Sequence, residues 1–326
     1  MRAIVAREYG PPETLKLEVW HDPPAPGPGQ ITVEHSAWGL NYVDMLMIAG
    51  GYQHKPNIPF IPGLEAAGTV VAVGAGAEEY AVGDPVITHQ RDGAYAGMVT
   101  VSTENAVPAP IGYSLAEAAA FRSVFQTAYH ALVQAGRLAA GETVLVHGAA
   151  GGTGHATVQV AKAMGAKVIA TAGGPEKCAA VKNFGADHVI DHQATPAWKD
   201  TVKDLTDGKG ADVIFDPVGG DVFDQSTRCL NIGARLLIIG FTGGRPALAK
   251  TNHLLIKEAS AIGVRAGGFT RRHPGMARSN YDALREMAEA GKIKPHLHHT
   301  APFDKVADAM ELIAGRAVIG KVVLAD

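Results

Sequence analysis

Apolar positions along this chain follow two rhythms. Between residues 142 and 240, short apolar and β-branched runs alternate with segments whose apolar residues recur at helical spacing. Strands are predicted at 142–146, 167–172, 188–192, 211–216 and 234–240, with helices near 156–164, 176–184, 196–206 and 222–230. Such alternation implies a parallel sheet covered on both faces, which binds ligands outside the carboxyl ends of its strands. The preceding region has a different grammar. Two strands are expected within residues 1–35, separated by the turn-rich stretch 21–30. Short strands at 70–73, 84–88 and 97–101 then alternate with Gly and Pro, as in a compact β-barrel. A helical stretch at 115–132 leads into the alternating region. Beyond it come apolar edge strands near 254–264, helical patterns at 279–290 and 303–314, and a closing strand at 321–324. This tail is expected to return and complete the first domain.

The first strand of the alternating region runs into His147-Gly148-Ala149-Ala150-Gly151-Gly152-Thr153-Gly154-His155. Strand, glycine turn and helix form a phosphate-binding arrangement. Missing side chains let the backbone approach a pyrophosphate, and the unpaired N–H groups of the helix N-terminus favour an anion. The pattern is A-x-G-x-x-G, with Ala149 in place of the usual first glycine. Ala150, Gly151, Gly152, Thr153 and Gly154 are therefore the candidate cradle. The second strand ends in Ala172-Gly173-Gly174, without the acid that commonly holds the ribose 2′-hydroxyl of NAD. Lys177 follows closely and can neutralise a 2′-phosphate, so Gly173 and Lys177 point to NADPH.

Composition narrows the field. At 326 residues the chain is expected to hold two domains. A net charge of −3 and the lack of a basic, aromatic-rich stripe argue against nucleic acid. No apolar run is long enough to span a membrane, and the start lacks a signal-peptide core. Two cysteines, Cys178 and Cys229, provide no disulfide framework, which suits the cytoplasm.

Taken in order, several segments resemble the quinone oxidoreductase (zeta-crystallin-like) branch of the medium-chain dehydrogenase/reductases. They are Gly39-Leu40-Asn41-Tyr42-Val43-Asp44, Pro62 to Gly68, Phe125 to His130, His147 to Gly154, Gly185 to Ile190 and Gly320 to Leu324. The resemblance spans nearly the whole chain. It implies an α/β protein with a GroES-like β-barrel catalytic domain, residues 1–124 and 263–326, and a Rossmann NADP-binding domain, residues 125–262. It also implies NADPH use and a homodimer.

In zinc alcohol dehydrogenases of the same superfamily a cysteine stands at the position of Asn41, and a His-Glu pair at Leu64-Glu65. This chain lacks that set, and Glu65 is expected to hold the turn before the next strand. The cluster His296, His298 and His299 is expected to be a solvated strand and loop. Without a metal, the simplest reaction is hydride transfer to an electron-poor acceptor, a quinone or an α,β-unsaturated carbonyl. By resemblance, Asn41 sits beside the nicotinamide and donates through its amide, while Tyr52 meets the substrate carbonyl or supplies the proton. Asp44 orders its loop. Thr127, Gly240 and Phe241 are assigned to the nicotinamide end, and His192 takes the place of a tyrosine against the adenine ribose. Arg265 would contact cofactor phosphate or an anionic substrate, whereas Arg271 and Arg272 are expected on the surface. An enoyl-CoA reductase and a non-catalytic NADPH-binding structural or RNA-binding protein are the alternatives.

Overall fold

A computed structural model describes all of residues 1–326 and divides them into two compact units, 1–123 with 295–326, and 124–294. The first unit opens with β1 (Arg2–Val5) and β2 (Lys16–Val19), paired antiparallel, followed by β3 (Gln30–Gly39). Three strands thus occupy the start, where two were expected: a strand pair precedes the turn-rich 21–30 segment. After α1 (Tyr42–Ile48) come β4 (Glu65–Val73), β5 (Pro85–His89), β6 (Met98–Ser102) and β7 (Ala106–Pro108). The strand β3 is the spine. It pairs with β4 along one edge and, on the other, with β6 over its first half.

The helical stretch at 115–132 is interrupted. It consists of α2 (Leu115–Ala119), α3 (Arg122–Tyr129) and a π-helical continuation, His130–Ala135. Ser114 starts α2 by reciprocal capping. Its hydroxyl accepts from Glu117 N at 3.2 Å, while the Glu117 carboxylate accepts from Ser114 N at 2.9 Å.

The second unit alternates as its pattern predicts. β8 (Thr143–Val146) and α4 (Gly152–Ala163) are followed by β9 (Lys167–Ala172), α5 (Pro175–Asn183), β10 (His188–Asp191) and α6 (Trp198–Asp204). Then come β11 (Ala211–Asp216), α7 (Gly220–Ser226), β12 (Leu230–Ile238), α8 (Thr251–Lys257), β13 (Ser260–Gly263), α9 (Ala266–Arg272) and α10 (Pro274–Glu289). The six strands are all parallel in the order β10-β9-β8-β11-β12-β13. Their carboxyl ends therefore share one edge. Leu145, Ile169, Trp198, Ile214, Phe223 and Leu236 fill its core, each fully buried apolar side chain contributing about 1.5–3 kcal/mol.

Two expectations change here. Leu254, Leu255 and Ile256 lie on α8 rather than on an edge strand; Glu258, left-handed at φ 50°, ends that helix before β13 begins. Residues 263–294 group with the dinucleotide unit rather than the catalytic one, so the division falls near 294. Hydrogen bonds tie them there. Gln126 Nε2 donates to Ala277 O, the amides of Gln134 and Asn280 pair, and Gln159 Nε2 donates to Lys294 O.

The tail then completes the first unit with β14 (Leu297–Pro302), α11 (Val306–Ala314) and β15 (Lys321–Ala325). β15 pairs with the last residues of β3, making the sheet β14-β15-β3-β4-β5-β7. Trp38 and Phe303, their ring centroids 3.9 Å apart, lock the returning tail onto β3. This pairing delivers Lys321 to the end of β3, beside Asn41.

Candidate active site

In the first unit β3 ends at Gly39, and Asn41 caps α1. Asp44 lies one turn in, its Oδ2 accepting from Asn41 N at 2.9 Å, where a carboxylate also meets the positive end of the helix. Asp44 thus orders its loop. Its Oδ2 also accepts from Tyr95 Oη at 2.7 Å, but Oδ1 has no partner, and burial pushes the carboxyl up to about 6. Burial likewise raises the Tyr95 phenol well above its ordinary value, with the Asp44 charge adding to it.

Glu65 does more than hold a turn. It is fully buried, and its Oε1 accepts from Asn41 Nδ2 at 3.1 Å and from Lys321 Nζ at 3.1 Å, while Oε2 accepts from Ser123 N at 2.8 Å. Gly39 makes this possible, because a Cβ there would stand 2.9 Å from Glu65 Oε1 and 2.1 Å from Ala119 O. Lys321, only 3% exposed, also donates to Leu40 O and Asn41 Oδ1, each at 2.7 Å. All three ammonium hydrogens are used. Lys321 was not expected as a site residue; its signal in the sequence was a charge set in the apolar run Ile319 to Leu324.

Asn41 is consequently less free than expected. Its Nδ2 hydrogens go to Glu65 Oε1 and, at a long 3.4 Å, to Gly39 O. Tyr52 is partly buried against the core that contains Trp38 and Met47, and no hydrogen bond joins it to Asn41.

No group of three or more His, Cys, Asp or Glu side chains is arranged to hold a metal. At the positions of a zinc centre this chain places an amide, Leu64 and a carboxylate already bound to an ammonium, a donor set that does not suit zinc. His298 and His299 are exposed on β14, beside His296, whose carbonyl accepts from Lys321 N.

The second unit places the glycine turn as expected. Gly151 caps α4, and the first helical bond runs from His155 N to Gly151 O at 2.9 Å. The N–H groups of Gly152, Thr153 and Gly154 therefore have no intrahelical acceptor. Gly154 lets the helix close on the turn; a Cβ there would stand 2.1 Å from Gly148 O. Ala150 is buried beneath.

His147 braces this turn from below. Its Nδ1 lies 3.0 Å from Thr171 Oγ1 and its Nε2 2.9 Å from Ser226 Oγ. Because the Ser226 hydroxyl donates to Val222 O, the network assigns the proton to Nε2, and Thr171 donates to Nδ1. Burial, with the His192 charge adding to it, pushes His147 down to about 3, so it is neutral.

At the other end of the edge, Gly173 lies against His192 and Gln193. Asp191 ends β10 and faces the same loop. Its Oδ1 accepts from Gly174 N at 3.1 Å and Gln193 N at 2.9 Å, which lowers its pKa and commits that oxygen to the loop. Lys177 occupies the first turn of α5, against the helix dipole.

Gly240 and Phe241 follow β12, where the ring of Phe241 packs over Gly219. Asp216, missed in the sequence, ends β11 and holds that neighbouring loop through Val218 N and Gly219 N. Thr127 lies on α3, half-buried. Arg265 caps α9, its side chain folded over Gly268.

Residues 27–137 match the alcohol dehydrogenase GroES-like domain, and residues 152–282 match the zinc-binding dehydrogenase family. That pair, an N-terminal GroES-like domain and a parallel dinucleotide fold, defines a medium-chain dehydrogenase/reductase. The chain is 36% identical to a quinone oxidoreductase-like protein 2 homolog of Nematostella vectensis, over 99% of this chain and 88% of that protein. Human quinone oxidoreductase is 33% identical over 99% of this chain and 97% of its own length. Escherichia coli quinone oxidoreductase, solved in complex with NADPH, superposes with a TM-score of 0.91 at 28% identity, covering 100% of both chains. The chain belongs to the quinone oxidoreductase branch of the medium-chain dehydrogenase/reductases and is an oxidoreductase.

Proposed function

We propose that this enzyme uses NADPH to reduce a quinone or another α,β-unsaturated carbonyl, without a metal. The observation that carries the reading is the Asn41–Glu65–Lys321 centre: the oxygens available to a Lewis acid already hold an ammonium. An acceptor that needs no metal polarisation suits such a centre. The full-length likeness to an NADPH-bound quinone oxidoreductase supports the cofactor.

Bound NADPH supplies a hydride to the conjugated carbon, and a solvent-derived proton completes the reduction, giving NADP⁺ and the reduced acceptor. In this reading the N–H groups of Gly152, Thr153 and Gly154 hold the pyrophosphate, with Ala150 and Gly151 shaping the turn. Gly173, Lys177 and His192 take the adenosine 2′-phosphate end. Thr127, Gly240, Phe241 and Arg265 take the rest of the cofactor. Asn41 donates to the oxygen that gains charge, and the Tyr52 hydroxyl hydrogen-bonds the acceptor carbonyl or delivers the proton.

A second reading, an enoyl-CoA reductase, is favoured by one stretch. Residues 259–281 carry Arg265, Arg271, Arg272 and Arg278 and no acid. We further propose a homodimer: β13 is an open sheet edge, and Leu255 and Ile256 on α8 are 79% and 69% exposed.

An acceptor panel of quinones, enals and enoyl-CoA thioesters, followed by loss of reduced-nicotinamide absorbance, tests the function. Turnover of quinones or enals with NADPH, undiminished by a chelator, is expected. Turnover confined to CoA thioesters establishes the second reading. Tight NADPH binding with no oxidation by any acceptor refutes both.

A further inference from the structure

We infer that Lys321 is a positioning residue that fixes and polarises the Asn41 side-chain amide, a role that rests on the hydride-transfer reading given above. The argument begins with hydrogen-bond chemistry. An ammonium only donates and a carboxylate only accepts, so Lys321 must face Oδ1 of Asn41 and Glu65 must face Nδ2. The pair removes the two-fold ambiguity of an amide. With Oδ1 held at 2.7 Å by a positive charge, electron density is drawn toward the oxygen and the Nδ2 hydrogens become stronger donors.

Those two hydrogens are not equivalent. One is held at 3.1 Å by the buried Glu65 carboxylate; the other reaches a neutral carbonyl, Gly39 O, at 3.4 Å. A developing oxyanion is a far better acceptor than a carbonyl at that distance, so the second hydrogen is the one it recruits. Asn41 is 8% exposed, and Lys321 and Glu65 lie deeper at 3% and 0%. Lys321 thus acts on the acceptor only through Asn41.

Lys321 balances the buried Glu65 carboxylate, but charge balance alone does not require its contact with Asn41 Oδ1. β15 is an apolar strand, and burying an ammonium there carries a desolvation penalty that its three hydrogen bonds offset. The arrangement gives a charge whose partners are a backbone carbonyl, a carboxylate and the one amide assigned to the reacting oxygen.

The test combines kinetics with a measurement that needs no turnover. Wild type, Asn41→Ala, Lys321→Met and the double variant are assayed with NADPH and a reducible quinone or enal. Loss of the amide donor is expected to lower kcat about a hundredfold. Lys321→Met should lower kcat by a comparable factor while the KM for NADPH stays within about twofold, and adding it to Asn41→Ala should change nothing further. Glu65→Gln/Lys321→Met removes both charges and serves if the single variant fails to fold. Independently, the side-chain amide protons of Asn41, observed by NMR, should exchange with solvent at least tenfold faster once Lys321 is replaced.

Wild-type kcat in either Lys321 variant, a kcat loss that adds in full to that of Asn41→Ala, or unchanged amide exchange would each overturn the assignment. If wild type reduces no acceptor, the functional reading fails, and the amide exchange still decides whether Lys321 positions Asn41.

Discussion

Two buried polar centres, one in each unit of this chain, are built on opposite terms. The groups hydrogen-bonded to His147 are neutral: two hydroxyls and one imidazole pass hydrogens in one direction to Val222 O, and the ring packs edge-on against Trp198. Around Asn41 an ammonium, a carboxylate and an amide are pressed together, and nearby Asp44 keeps an unpartnered oxygen. The neutral centre satisfies itself below the glycine turn. The charged one, in the function proposed above, serves the reacting acceptor through Asn41.

The comparison is sharpest in acid. The folded state depresses His147 from 6.5 to about 3, so its contribution is present above pH 6.5 and is lost as pH falls toward 3. Over that range wild type should lose about 5 kcal/mol more stability than His147→Gln, at about 1.4 kcal/mol per pH unit. Urea melts at stepped pH check this; parallel profiles would place the imidazole in contact with water.

Lys321→Met comes next. It leaves the Glu65 carboxylate buried without its counter-charge and should destabilise the chain by about 3–5 kcal/mol, with Glu65→Gln/Lys321→Met recovering much of the loss. Denaturant midpoints decide, and an unmoved midpoint would mean that the pair is solvated.

Asp44 has the opposite sign to His147. Burial raises its carboxyl from 3.8 to about 6, so its stabilising contribution is complete below pH 3.8 and disappears as pH rises through 6. Relative to Asp44→Asn, wild type should lose about 3 kcal/mol between those limits. The two centres thus answer pH in opposite directions.

The smallest effect lies at the cofactor. Lys177→Ala should weaken NADPH about ten- to a hundredfold, near 1.4–2.7 kcal/mol, and leave NADH unchanged. Isothermal titration with both cofactors measures it, and equal losses would contradict the 2′-phosphate role.

Much of the second unit was legible because its information is local. Strands β8, β9 and β11 carry short apolar runs, and the turn from His147 to Gly154 announces itself by glycines whose spacing the helix start demands. Local reading failed where short runs are ambiguous: Leu254-Leu255-Ile256 has the composition of a strand and sits on a helix. The boundary at 263 failed for another reason. Among the ties of residues 263–294 to the dinucleotide unit are the Gln134–Asn280 amide pair and the Gln126 and Gln159 amides donating to Ala277 O and Lys294 O, and such polar contacts leave no periodic trace.

The sequence alone determined the alternation of strands and helices between residues 142 and 240 and the glycine turn, since these follow from side-chain period and backbone freedom within a few residues, while the candidacy of Asn41 rested on the family resemblance. Only the tertiary structure decided the company that Asn41 keeps. Lys321 is 280 residues away and arrives when β15 pairs with β3, and Glu65 enters through β4. Buried charges find their partners by chain closure, and that closure is a property of the whole fold.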